Sequence, residues 1–424
     1  MAAGLGVYRQ LLSDRRAVAF SLAGFVARLP LSMTGIGIVL LVSLTTGSFG
    51  LAGSLTAAAT VTGAVVAPLW GRATDRIGQA RVLLLTVLIN VVSVTLLVSS
   101  IELGWPLAVS FAAAVGIGIG FSLAGSSVRA RWTVRLNGSP LLHTAFAIEA
   151  MLDEVVFIIG PVLVTFLATA LHPALGVGVS AVIGLVGAVA LAGQRGTQPP
   201  IRSTSADHEG RSRMPWRILL PVAIACTALG MIFGGMEVNI VAFATEAGVL
   251  KYAGLILIAW SFGSLVAGAV TGAITWHASP ARRFQVGGIL LALSLLPLPF
   301  VTHPVGVATV LILSGLAIAP TLIASVGVTQ SAVDQSRLTE ALAWSSTGLA
   351  GGVAIGAAAV GHVIDSWDAQ AGFVAVAIAG LLLALSGLFV RGPHGSVRPA
   401  ADASSESIDT AAAQSSHPPV GTRG

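Results

Sequence analysis

Charge is scarce in this chain. Of its 424 residues only 9% are Asp, Glu, Lys or Arg, against roughly 25% in an ordinary soluble domain. Hydrophobic residues make up 55%, and the mean hydropathy is +0.91. Such a composition excludes a soluble enzyme, a disordered protein and a nucleic-acid binder of the ordinary kind. Cysteine is nearly absent: Cys226 stands alone, which excludes an internal disulfide framework and a cysteine-based metal site. Lysine is just as rare. Lys251 lies in Gly248-Val249-Leu250-Lys251-Tyr252, far from the Gly-x-x-x-x-Gly-Lys pattern of a phosphate loop, so an ATP-driven pump would need a second polypeptide. The 8 histidines are scattered with no pair at zinc-ligand spacing. No metal and no cofactor is implied, and no nucleophile–base constellation marks an enzyme.

What is present is long apolar runs. A membrane-spanning helix needs about 20 mostly apolar residues, and twelve such runs fall near 17–41, 50–70, 82–100, 106–128, 144–170, 174–194, 216–241, 252–275, 284–302, 305–329, 339–363 and 370–391. They predict an all-α membrane protein of twelve spans in two six-helix halves. The first run reads as a span, not a leader, because Arg28 and Pro30 interrupt it, it continues to Leu44, and no clear cleavage site follows. Residues 195–215 read as a polar linker and residues 392–424 as a disordered tail. The organisation is therefore a half at 1–194, the linker, a second half at 216–391, and the tail.

Arginine placement sets the orientation. With the N-terminus inside, 20 of the 22 basic residues fall on inside segments, leaving only Lys251 outside and Arg28 within the first span. Both termini are expected in the cytoplasm. The net charge of +5 then reflects anchoring in a lipid bilayer and not an affinity for nucleic acid. The preference for Arg over Lys, with abundant Ala and Gly, points to a GC-rich bacterial genome and hence a bacterial plasma (inner) membrane.

The two halves share a weak repeat. Leu51-Ala52-Gly53 opens the second run and Tyr252-Ala253-Gly254 the eighth; the same offset places Gly71 on Gly272 and Arg81 on Arg282. Tandem six-helix halves are a transporter signature. Between runs two and three the chain reads Gly71-Arg72-Ala73-Thr74-Asp75-Arg76-Ile77-Gly78-Gln79-Ala80-Arg81. This resembles the loop signature of the major facilitator superfamily at Gly71, Asp75, Arg76, Gly78 and Arg81, with Gln79 in place of a usual basic residue. The resemblance covers the whole twelve-helix plan. It implies that this loop latches the two halves in the outward-open state. Gly71 would allow close helix approach, Gly78 a tight turn, and Asp75 could pair with arginines or meet a helix N-terminus. The equivalent stretch of the second half, Gly272 to Arg283, has lost the acid.

An ionisable residue inside the bilayer is a functional candidate by default. The fifth run holds Glu149, Asp153 and Glu154. Counted from Thr144 at 1.5 Å per residue, Glu149 lies about 8 Å deep and the other two about 14–15 Å deep. Arg28 in the first run reaches a similar depth and is the expected counter-charge. Glu149 and Asp153 share a helix face, whereas Glu154 is rotated by about 100° from Asp153. Two acids beside one Arg leave a spare carboxyl that could exchange a proton; Asp153 and Glu154 are read either as this coupling site or as a structural bridge. Glu149 either joins them or meets Arg129, Arg131 or Arg135 at the inner surface. Glu237 either lines the cavity or reaches water.

Gly160-Pro161 weakens the fifth helix and allows a bend or close packing. It resembles the antiporter signature of drug:proton exporters, although Val164 and Thr165 stand where that signature has glycines. The Arg that such exporters often carry ahead of Gly118-Ile119-Gly120 is also missing, with Ala114 and Gly116 at the candidate positions. Gly348, Gly352 and Gly356 offer a helix-packing face. By family resemblance the substrate cavity lies among runs 1, 4, 7 and 10, where Met33, Met231, Glu237 and Asn239 are candidates; Met and Phe with few polar groups suit an apolar or amphipathic solute. The expected function is proton-coupled efflux of such a small molecule by a monomeric antiporter; the alternatives are a specific metabolite carrier (uptake or export) of the same fold and a non-transporting scaffold or sensor.

Overall fold

In the computed structural model of the chain, residues 11–201, 215–333 and 337–390 are described, apart from positions 12, 138, 140, 275 and 277. The tail and most of the linker lie outside these residues. The described chain is helical, with no strand: α1 (Arg15–Arg28), α2 (Pro30–Thr46), α3 (Phe49–Ile77), α4 (Gln79–Glu102), α5 (Leu107–Ile119), α6 (Ala124–Arg135), α7 (Leu141–Ala170), α8 (Pro173–Gly193), α9 (Trp216–Glu246), α10 (Ala253–Ala273), α11 (Pro280–Leu295), α12 (Pro304–Ala332), α13 (Leu338–Ser366) and α14 (Ala369–Leu388). They supply 12 stretches long and apolar enough to cross a membrane. Helices are required there because each backbone N–H and C=O must find a partner within its own segment.

Two spans are built from paired helices. Asp14 caps α1, accepting from the Arg16 and Ala17 amides, and α1 ends at Arg28 ahead of Pro30, which opens α2. Proline suits that first helical position because its missing N–H would have no intrahelical partner. The fourth span breaks between α5 and α6, and α6 then runs on to Arg135. The apolar run was expected to end near 128. It goes further because Trp132 and Arg131 bury against the bundle. The second span is also longer than expected. Arg72 to Ile77 are the last turns of α3, and Gly78 alone separates α3 from α4. Gly78 has φ of +90°, a conformation that costs glycine little.

Spans 1–6 pack on one another, as do spans 7–12, and the two groups meet chiefly along α3–α13 and α7–α10, with α2–α9 between. Small residues let these backbones touch. A methyl added at Gly53 would strike the Ala357 carbonyl, and one at Gly361 the Phe49 carbonyl. At Gly254 it would fall 2.5 Å from the Pro161 carbonyl oxygen. Gly53 and Gly254, the matched glycines of the sequence repeat, thus mark two equivalent crossings. These approaches lie toward the end of the bundle that carries the Gly47, Gly104 and Gly248 turns, here called the far end. The other end, with the Gly78 turn, Arg135 and the start of α9, is the basic end.

Within the second half, α13 lies against α9 through the expected glycine face. An added methyl at Gly352 would run into the Thr227 carbonyl and come 3.0 Å from Gly230, whereas at neighbouring Gly351 it would meet nothing within 4 Å. Overpacking a tight contact costs about 1–3 kcal/mol. Gly352→Ala is therefore expected to lower thermal stability in detergent by about that amount, with Gly351→Ala neutral or slightly stabilising; equal melting temperatures for the two variants would contradict this packing.

Candidate functional site: a buried arginine–carboxylate cluster

Arg28 closes α1 and is only 4% exposed. Its guanidinium divides between two carboxylates of α7: Nη2 donates to Glu149 Oε2 at 2.6 Å and Nη1 to Asp153 Oδ1 at 2.7 Å, while Nε donates to the Gly24 carbonyl at 3.1 Å. Glu149 is fully buried and accepts two further bonds, from the Trp132 indole at 2.9 Å and from the Ser21 hydroxyl. Asp153 is held on its other side by Arg129 of α6, Nη2 to Oδ2 at 2.5 Å. Four residues separate Glu149 from Asp153, so α7 presents both on one face and one planar guanidinium can bridge them.

One alternative falls here. Glu149 does not meet Arg129, Arg131 or Arg135. It is screened from the basic end by α1 and by Trp132, whose ring packs edge-on against Phe20 at 5.0 Å. Of the two deeper acids Arg28 engages Asp153 alone, and its second partner is Glu149. Glu154, turned away from the face that holds Glu149 and Asp153, is half-buried and has no hydrogen bond or ion pair among the described residues. Depth along the helix grouped Asp153 with Glu154; helical phase groups Asp153 with Glu149. Arg129, Trp132 and Ser21 went unrecognised as members of the cluster. The clue was the continued helical spacing of Arg129, Trp132 and Arg135 beyond the apolar run.

Gly160 packs on α2, where an added methyl would come 2.9 Å from Ser32 Cβ and 3.2 Å from Met33 Cγ. Ser32 also donates to the Val156 carbonyl at 2.8 Å, one residue before the Phe157 carbonyl that Pro161 leaves without its helical donor. The Gly160-Pro161 step is thus a contact point with α2 on one side and α10 on the other. Met33 is fully buried in that contact.

The remaining cavity candidates lie apart. Glu237 reaches across from α9 to the backbone of α2, where a methyl added at Gly35 would come 3.1 Å from its carboxyl carbon. Asn239 is fully buried and faces Gly372 of α14, with neither amide atom hydrogen-bonded. Met231 lines an apolar groove of about 310 Å³ between α9 and α14, with Leu382, Leu385 and Phe389. Glu237, Asn239 and Met231 do not form one cluster with the Arg28 site.

In the motif segment, Asp75, Arg76 and Arg81 are exposed, and none makes an ion pair among the described residues. A methyl added at Gly71 would meet nothing within 4 Å, so the close helix approach expected of it is not made in this conformation. Gln79 has a different environment. It is buried, donates to the Ser127 carbonyl at 3.2 Å, and accepts from Arg131 Nε at 2.9 Å. Arg131 is fully buried with no carboxylate partner among the described residues. Its other donors reach the Leu191 and Gln194 carbonyls at 3.0 and 3.2 Å and the Thr197 hydroxyl at 2.8 Å. The carbonyl end of α8 replaces a counter-anion. A basic residue at position 79 would point donors at a donor, which accounts for glutamine there. The first linker residues are therefore fixed to the bundle, and Ile201 Cδ1 comes 3.8 Å from where a methyl at Gly78 would stand. At the same end, Arg135 pairs with Asp14 and holds its carboxyl below the ordinary range, so this tie is lost as pH falls through that lowered value. In the second half Arg283 lies 4.6 Å over the Trp276 ring.

A family model described as Major Facilitator Superfamily matches residues 20–337. The chain belongs to that superfamily. No curated protein matches it. Among solved structures, major facilitator proteins of the same plan include an auto-inhibited POT family peptide transporter, 13% identical, with 91% of this chain and 99% of that one covered and a TM-score of 0.67. The nucleoside transporter NupG is 12% identical, with 88% and 99% covered and a TM-score of 0.71. The POT family transporter PepTSo is 12% identical, with 89% and 98% covered and a TM-score of 0.68. At these identities the likeness is one of fold. Membership makes this a multi-pass membrane protein of a transporter family.

Removing one member of a buried ion pair leaves the other charge uncompensated, at about 3–5 kcal/mol. Arg28→Ala is expected to destabilise the purified protein by that order, and adding Glu149→Gln should recover part of the loss; strictly additive losses in thermal unfolding would mean that the two side chains are not coupled. Gln79→Arg is expected to destabilise in the same assay, whereas Gln79→Glu, which supplies Arg131 with an anion, is tolerated better.

Proposed function

We propose that this chain is a proton-coupled antiporter that exports small apolar or amphipathic compounds by alternating access. Its termini lie in the cytoplasm and it sits as a monomer in a bacterial plasma membrane. The half at residues 1–194 rocks against the half at 216–391, with the Gly71–Arg81 segment as the inner latch. The observation that carries the reading is the division of labour on α7. Glu149 is engaged by Arg28, and Asp153 by Arg28 and Arg129, while Glu154 sits one position further on, half-buried and without a partner among the described residues. Carboxylates committed to an arginine are structural members of the cluster, whereas an ionisable residue inside a span with no such commitment is a candidate for proton relay. Glu154 is therefore the group that takes and releases the proton, and the Arg28 cluster braces the first span against the fifth.

With cytoplasmic termini the far end is the outer end. The halves touch there, so the conformation faces inward, in keeping with an Asp75 that engages no partner among the described residues. A bilayer-exposed apolar surface and a site with one free carboxylate suit amphiphilic solutes better than sugars, which need many hydrogen-bonding groups.

Proton flux in proteoliposomes containing a pH dye, challenged with cationic and neutral amphiphiles, tests the assignment. Substrate-evoked proton movement is expected in the wild type and is expected to fall at least tenfold in Glu154→Gln, while the variant keeps its melting temperature. Full coupling in Glu154→Gln would remove Glu154 from the mechanism, and no evoked movement with any compound would remove the antiporter reading.

A further inference from the structure

The contact that closes the far end is a helix cap supplied by the opposite half. The first amides of α3 have no intrahelical acceptors. Ser48, the N-cap, takes one of them, accepting from Leu51 N at 3.0 Å. Two others are taken by Asp365, near the C-terminal end of α13 and 316 residues from Phe49: Phe49 N donates to Oδ1 at 2.6 Å and Gly50 N to Oδ2 at 2.9 Å. The Ser48 hydroxyl donates to Oδ2 at 2.6 Å. A carboxylate at this position also faces the positive end of the α3 dipole. Gly50 leaves room for it, since a methyl there would stand 2.8 Å from Oδ2.

The same helix pair carries the mirror arrangement at the basic end, and there it is open. Asp75 stands in the last turns of α3, a position the helix dipole disfavours for an acid. It has no hydrogen bond or ion pair among the described residues. The N-terminus of α13 begins after Arg337, which provides no side-chain cap. Each helix of the pair therefore carries an aspartate in its last turns, at the end where the other helix begins. At one end the aspartate of α13 caps α3; at the other, the aspartate of α3 caps no helix among the described residues.

We propose that Asp365 is a far-end gating residue. It holds the halves together by capping α3, and its release is part of opening that end, in opposition to the latch at Asp75. The inference rests on the alternating-access reading given above but needs no proton or substrate. An acid that only stabilised its own helix would not act across the halves. Asp368, three residues on, is of that kind: it caps α14 through Ala371 N at 2.7 Å and serves as the control.

Spin-label distances on the full chain, with Cys226 replaced by Ser, read both ends. One pair is placed at Leu103 and Phe300 in exposed far-end turns, the other at Val134 and Ser331 toward the basic end. Asp365→Ala is expected to raise the ratio of far-end-open to far-end-closed molecules about fivefold, the factor a helix cap supplies. Asp365→Asn, which keeps one acceptor oxygen, should fall between this variant and the wild type. Asp368→Ala should leave the ratio unchanged. Asp75→Asn should move it the opposite way. The inference fails if monodisperse Asp365→Asn and Asp365→Ala both keep the wild-type distances, or if Asp368→Ala opens the far end as much. Because the distances are read without transport, loss of coupling in Glu154→Gln neither supports nor removes this assignment.

Discussion

A guanidinium carried into hydrocarbon has to be neutralised, and in this protein much follows from how Arg28 is. Two carboxylates one helical turn apart receive it, and the second of them is shared with Arg129. Three helices, α1, α6 and α7, are fixed relative to one another by this cluster. The fixed set includes the Gly24 carbonyl and the Trp132 indole, so rotation of α7 by a single residue would break several bonds at once. That rigidity is what gives Glu154 a defined and different environment on the same helix.

Much of this was legible in the sequence. The twelve runs, the two halves and the motif segment follow from hydropathy and spacing, because the bilayer imposes length and polarity on each span. Arg28 and the acids of α7 stood out for the same reason: so few charges fall inside the runs. Pairing was harder to read. Depth along one helix follows from counting, whereas pairing across helices depends on rotational phase and on which neighbour lies there. The shared face of Glu149 and Asp153 held that information, but the end assigned to the fourth span hid Arg129 and Trp132. Asp365 was invisible for a different reason. An exposed acid after an apolar run looks like any membrane-surface charge, and its partners are backbone amides, which leave no trace in composition.

The contacts between halves differ in kind from those within them. Within each half, glycines seat helices along much of their length, as Gly348, Gly352 and Gly356 do on α9. Between the halves the contact is concentrated toward one end, through Gly53, Gly254, Gly361 and the Asp365 cap. Backbone-to-backbone seating at small residues carries little side-chain interlock, and capping bonds exchange readily with water. The interface is thus composed of elements that can separate without disturbing the core of either half.

The attachment of Thr197 to Arg131, with Ile201 lying over the Gly78 turn, has a geometric corollary. The covalent connection between the halves does not begin to pay out at residue 195 but after Ile201, and it must arrive at Pro215 where α9 starts. Those fourteen peptide links span at most about 45–50 Å when drawn straight. The linker is therefore a tether of fixed maximum length, anchored beside the motif on one half and at the foot of α9 on the other. Each residue removed from it would lower that maximum by about 3.3–3.6 Å while leaving the spans themselves unchanged.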